Sequence, residues 1–218
     1  MNKINKKLNE FFESWEDDIY SRYLSWEYCY KFFVERKTQI LNDSKTLDLA
    51  SLNLAFYLAS WGMYRGSSNL LRKNYKIHQL LIKKLLQKCS DLWDDDISWE
   101  QINTANKIIE KYYEKYEVTP TKTLITKILM GIFACVPAYD RFFISGINEY
   151  KPKSENISTT YNKQGFYQLK EFAKKITITK NLKNTNIPYP VMKLVDYYFW
   201  NIGLEKYKEN KSKAKNTF

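Results

Sequence analysis

The chain has 218 residues, 44% of them apolar, and carries 35 Lys and Arg against 24 Asp and Glu, a net charge of +11. That length supports one large domain or two small ones. The 6 Gly and 5 Pro are too few for a turn-rich all-β fold, no apolar run approaches the ~20 residues that cross a bilayer, and a single histidine, His78, gives little basis for a zinc site or a Ser-His-Asp triad. The predicted class is all-α: one multi-helix domain over residues 1–207 and a basic, flexible tail over residues 208–218.

Asn2–Tyr20 has apolar residues at helical spacing: Ile4, Leu8, Phe11, Phe12, Trp15 and Ile19. Ser25 is placed to cap a second helix, whose apolar face holds Trp26, Tyr30, Phe33, Val34, Ile40 and Leu41. Asn42–Lys45 reads as a turn, and Thr46 or Asp48 opens a third helix. Leu54, Phe56, Tyr57, Leu58 and Trp61 surround that helix with apolar side chains, which predicts burial on most sides.

The third helix runs into Gly62-Met63-Tyr64-Arg65-Gly66-Ser67-Ser68. Gly62 suits the left-handed position past a helix end, and Gly66 permits a second bend. Ser67 or Ser68 can cap the next helix. Arg65 is expected half-buried at this junction. It either ties helix-end carbonyls or a carboxylate, or joins Ser67, Ser68 and free N–H groups around an anion.

Ile77–Cys89 predicts a cationic helix buried through Leu80, Leu81, Leu85 and Leu86. Arg72, Lys73, Lys76, Lys83, Lys84 and Lys88 occur here before any acid intervenes. Such a run is either a solvated face or a surface that tracks phosphates. Asp91–Asp96 is an acidic linker whose consecutive carboxylates diverge, so capping by Asp96 or Ser98 explains it better than a metal. Ser98–Tyr116 is a further helix, and Thr119 before Pro120 is read as the next cap.

Thr121–Phe133, with Leu124, Ile125, Ile128, Leu129, Ile132 and Phe133, is expected to be the central buried helix. Pro137 ends it, and Asp140 falls in the first turn of the next. Tyr150–Thr160 is polar and reads as a mobile loop. Helices are expected over Tyr161–Lys175 and Val191–Tyr207. Cys29, Cys89 and Cys135 form no CxxC pair and sit in apolar helical settings; with no signal peptide at Met1–Asn9 they point to a reduced, cytoplasmic protein.

Three segments, AFYLASWGMYRGSS, TKILMGIFACVPAYDRFF and YPVMKLVDYYFWNIG, together resemble a group of small bacterial proteins to which no activity attaches. Ile125–Phe143 also resembles the core of the helix-hairpin-helix DNA glycosylase fold. There a buried helix leads through a hairpin to a proline-containing segment, and an aspartate opens the next helix. That resemblance implies an all-helical architecture and matches Asp140 to the family's aspartate. It departs from the family in having one hairpin glycine, Gly131, no four-cysteine cluster and no clear match to the hairpin lysine.

The leading expectation is a nucleic-acid-associated protein. Its candidate anion contacts are Arg65, Ser67, Ser68, Lys73, Lys76, Lys83, Lys84 and Arg141. A second is an enzyme acting on a nucleic-acid base or phosphate, with Asp140 as general base and Arg65 as anion holder. A third is a protein-interaction module in a defence or toxin–antitoxin setting. Asp196 lies on an apolar helix face, so if buried it needs a cation, with Arg65 or Arg141 as candidates. The sequence calls for no metal, cofactor or membrane.

Overall fold

Short polar side chains set most of the helix starts. Asn2, Asp43, Ser98, Thr121, Asp140 and Asn162 each accept a backbone N–H from the first helical turn, which satisfies donors the helix itself leaves unpaired. Ser98 and Gln101 form a reciprocal capping box. The computed structural model describes residues 2–94, 96–150 and 156–215. Among them nine α-helices run in order: α1 Lys3–Glu13, α2 Leu24–Asn42, α3 Ser44–Ser60, α4 Gln79–Lys88, α5 Trp99–Lys115, α6 Lys122–Ile132, α7 Arg141–Glu149, α8 Lys163–Ala173 and α9 Val191–Lys215. No strand occurs among the described residues beyond an isolated bridge between Asn181 and Pro188. The fold is all-α, and one contiguous core runs from Ile4 to Trp200.

Helix α6 is the centre, as its apolar run predicts. Every residue from Leu124 to Ile132 is buried, so the carbonyls of its last turn cannot reach water. Three side chains take them up. Trp26 Nε1–H donates to Met130 O at 2.9 Å, Trp93 Nε1–H to Ile132 O at 3.1 Å, and the Cys29 thiol to Gly131 O at 3.5 Å. Cys29 is thus a buried donor, and burial raises its thiol pKa well above the ordinary range. Gly131 lies inside α6 against the Tyr57 ring, not in a hairpin between helices.

Helices α7 and α9 form the closest pairing. A methyl group on Gly146 would strike the Phe199 carbonyl, and one on Gly203 would strike the Phe142 carbonyl. One glycine on each helix therefore lets the two backbones approach.

Several boundaries differ from the sequence expectation. Helix α1 stops at Glu13, where the Ser14 hydroxyl bonds back to Phe11 O, and Ile19 is exposed. Helix α2 begins at Leu24 without a side-chain cap; Ser25 instead donates to Arg22 O and accepts from Trp61 Nε1–H. Asp43 caps α3, ahead of Thr46 and Asp48. Thr121, not Thr119, caps α6. Phe56 and Leu80 face solvent, and Ile82 supplies the buried side of α4. Helix α9 continues past Tyr207 to Lys215; Lys206–Glu149 and Lys7–Glu205 pairs at 3.1 and 2.5 Å hold the turn just before Tyr207. The expected loop Tyr150–Thr160 lies in part outside the described residues.

His78 is fully buried between two tyrosines. The Tyr64 hydroxyl lies 2.6 Å from Nε2 and the Tyr113 hydroxyl 2.7 Å from Nδ1. Burial lowers its pKa to about 3, so the imidazole is neutral and passes one hydrogen bond along the chain.

Gly146→Ala and Gly203→Ala are expected each to cost about 3 kcal/mol or more in chemical denaturation, because a backbone oxygen cannot rotate away. An unchanged midpoint would contradict the close approach. His78 makes stability depend on pH. In the unfolded chain it takes a proton near pH 6.5, and in the folded chain only near 3. Its stabilisation is therefore complete above pH 6.5 and declines as the pH falls. Unfolding free energy drops by about 2 kcal/mol between pH 7 and pH 5, and His78→Gln flattens that slope because no other histidine is present.

Candidate anion-binding cleft

The segment Ala138–Asp140, which links α6 to α7, is fastened by α6 and α9. The Thr123 hydroxyl donates to Tyr139 O at 2.9 Å, Thr126 Oγ1 accepts from Tyr139 N–H at 3.0 Å, and Asp196 Oδ1 accepts from Ala138 N–H at 2.9 Å. Lys127 Nζ donates to Asp140 Oδ2 at 3.0 Å, with the two side chains 2% and 15% exposed. The other oxygen, Asp140 Oδ1, caps α7 through the N–H groups of Phe142 and Phe143 at 3.0 and 3.1 Å. Asp140 is therefore the N-cap of α7 and the counter-ion of a buried lysine.

A second pair lies behind the first. Lys193 Nζ donates to Asp196 Oδ2 at 2.7 Å, both side chains buried. Burial pushes the Lys193 pKa down; Asp196 opposes that shift and Lys127 adds to it. The ammonium sits 4.0 Å from the Tyr197 ring centroid and 4.9 Å from that of Trp26. Asp196 is thus a structural ion-pair partner, but its cation is Lys193 from its own helix, not Arg65 or Arg141.

In front of the pair, a cleft of about 330 Å³ opens to the surface. Its walls include Arg22, Trp61, Gly62, Arg65, Thr123, Lys127, Asp140, Arg141, Phe142 and Trp200. Four cations face one carboxylate there, a formal balance of 4 − 1 = +3. Among the described residues, no carboxylate pairs with Arg22, Arg65 or Arg141. Aromatic faces hold two of the arginines instead. Arg22 Cζ lies 4.7 Å from the Trp61 centroid and 5.6 Å from that of Trp200. Arg141 Cζ lies 4.5 Å from Phe142 and 5.3 Å from Tyr207. Such ring contacts hold a guanidinium in place without neutralising it, so its charge remains available to an anion.

Gly62 and Gly66 adopt positive φ, +79° and +60°, as the turn chemistry requires. Gly62 also lacks a Cβ where the Arg65 guanidinium packs. Arg65 itself is exposed at the cleft and not half-buried, while Met63 and Tyr64 before it pack against the core. Ser67 is exposed, and Ser68 accepts Leu70 N–H to cap a 3-10 turn over Asn69–Arg72; neither serine is a wall of the cleft.

Of the candidate residues, Arg65, Asp140 and Arg141 converge here. Lys73 and Lys76 line a separate concavity of about 430 Å³ with Arg72, Tyr112 and Tyr116. Lys83 and Lys84 lie on the exposed side of α4, Lys84 Nζ 5.7 Å from the Tyr112 ring. Sequence reasoning missed Arg22 and Lys127. Lys127 had a signal: it is the one cation inside the apolar run Leu124–Ile132. Arg22 had none, since only the tertiary fold brings it onto Trp61.

Among the described residues no cluster of three or more His, Cys, Asp or Glu is placed to hold a metal, and no helix is long and apolar enough to cross a membrane. Compared with protein-family models, curated proteins and solved structures, the chain matches none.

Asp140→Ala leaves Lys127 charged and unpaired in the core and removes a helix cap. It lowers unfolding free energy by about 3 kcal/mol or more, and adding Lys127→Met recovers most of the loss. A single-variant cost of only about 1 kcal/mol, that of a cap alone, would mean the pair contributes nothing.

Proposed function

We propose that the protein binds a phosphate-bearing ligand in the Trp61 cleft. The observation that carries this reading is the convergence of three arginines, none paired with a carboxylate among the described residues, around one concavity backed by a buried lysine. All three arginines are exposed, so water and not a carboxylate satisfies them in the free protein, and an anion can take the place of that water. Here aromatic rings lie beside two of them without neutralising their charge, an arrangement that suits a many-oxygen anion. The cleft volume lies at the lower end of small-ligand sites, enough for a phosphoryl or diphosphoryl group with part of what it is attached to.

A general-base role for Asp140 has less support. Its two oxygens already accept three hydrogen bonds, and using it as a base would expose Lys127 to an unpaired state. Binding with Asp140 as a fixed counter-ion agrees better with the geometry.

Titration calorimetry with pyrophosphate tests the reading. The wild-type chain binds, and Arg65→Gln and Arg22→Gln each weaken binding at least about tenfold, the equivalent of one charge-assisted hydrogen bond. Affinity falls as salt rises. No heat of binding at low salt, or Arg65→Gln and Arg22→Gln binding as wild type, would overturn the proposal.

A further inference from the structure

The ligand of the cleft need not end there. Leu49–Ser90 carries Arg65, Arg72, Lys73, Lys76, Lys83, Lys84 and Lys88 and not one acid. Among the described residues, none of these seven cations forms an ion pair. The segment has a direction in the fold. It begins at the cleft, where Arg65 stands at the mouth, and passes through the Asn69–Arg72 turn. It then reaches the second concavity, lined by Arg72, Lys73, Lys76, Tyr112 and Tyr116.

Arg72 follows Arg65 by seven positions, so their Cα atoms lie within about 25 Å of each other. Beyond them, the exposed side of α4 adds Lys83, Lys84 and Lys88. Two of the cations lie beside rings: Lys84 over the buried Tyr112 and Lys115 over the half-buried Tyr116, each at 5.7 Å. A cleft that gathers four cations at one end and an open cationic track beyond it describe a ligand of matching form. It has one terminal phosphate and a chain of further phosphates and flat rings.

Resting on the phosphate-binding reading of the cleft, we infer that the ligand is the phosphorylated end of a single-stranded nucleic acid. The terminal phosphate sits among Arg22, Arg65, Lys127 and Arg141, and the backbone tracks Arg72, Lys73, Lys76 and Lys84. A terminal phosphate carries more charge than an internal diester and exposes three oxygens, which is what a cleft with a +3 balance selects. The track supplies the sequence-independent, salt-sensitive part of the binding.

The test is fluorescence anisotropy with short, internally labelled single strands bearing a 5′-phosphate, a 3′-phosphate or no terminal phosphate. Pyrophosphate calorimetry runs in parallel, and circular dichroism confirms that each variant folds. One phosphorylated end binds at least about tenfold tighter than the unphosphorylated strand. Arg65→Gln removes that increment. The triple variant Lys73→Gln, Lys76→Gln, Lys84→Gln weakens every strand and flattens the salt dependence while leaving pyrophosphate binding unchanged. Strands that bind equally with and without a terminal phosphate overturn the inference, as does equal affinity for the matching duplex, or a triple variant that binds like wild type. Pyrophosphate bound but no strand bound refutes the nucleic-acid end and spares the cleft. Neither bound refutes both.

Discussion

Burying Lys127 constrains everything around it. An ammonium 2% exposed in the central helix is tolerable only beside a fixed carboxylate, since losing the partner of a buried pair is far costlier than having no pair at all. Asp140 can fill that role only because the chain turns sharply after α6 and starts α7 within reach. The turn is set by Ala134 at φ +53°, by Pro137, and by the bonds from Thr123, Thr126 and Asp196 to Ala138 and Tyr139. The ion pair, the helix cap and the turn therefore stand or fall together. Lys193 and Asp196 repeat the arrangement one layer deeper, with rings of Trp26, Trp61 and Tyr197 around the ammonium.

The close approach of α7 and α9 places the mouth of the cleft relative to that buried pair. With glycine at both contact points the helices pack backbone to backbone. Phe142 then meets Trp200 at 5.4 Å and Tyr207 at 5.5 Å between ring centroids. Arg141, one residue earlier, lies over the rings of Phe142 and Tyr207. Trp200 meets Trp61 edge-on at 5.5 Å, which carries the aromatic wall across to α3 and to Arg22 beside α2. Aromatic residues make up 17% of the chain, and here they hold cations as well as fill the core.

A net positive balance inside a concavity is stable in isolation only while water reaches the charges. The cleft meets that condition by grading exposure: Lys127 is buried and paired, while Arg65 and Arg141 are at the surface. The outer arginines keep their hydration until an anion replaces it, and the rings that hold Arg22 and Arg141 reduce the freedom lost on binding. The cationic face of α4 differs in kind. Its lysines are exposed and flexible, which suits weak, repeated contacts with a polyanion more than selection of one group.

Helix class, most helix positions and the central place of α6 were legible in the sequence, because apolar periodicity and capping side chains act within a few residues of each other. Gly62 and Gly66 announced their left-handed turns for the same local reason. Exposure was read less well. Phe56 and Leu80 are apolar yet face solvent, because only one side of each helix meets neighbours, and that side is taken by Leu54 and Leu58 in α3 and by Leu81, Ile82 and Leu85 in α4. The end of α9 was misplaced because a lysine-rich stretch reads as frayed, whereas the helix continues through it to Lys215. From the residues alone came an all-helical, strongly basic chain, with Arg65, Asp140 and Arg141 named one at a time. Tertiary packing settled that those three share a cleft with Arg22 and Lys127, that Asp196 answers Lys193, and that Ser67 and Ser68 stand apart. Capping and periodicity are short-range effects, whereas which charges must meet is settled by which helices can approach closely enough to bury them.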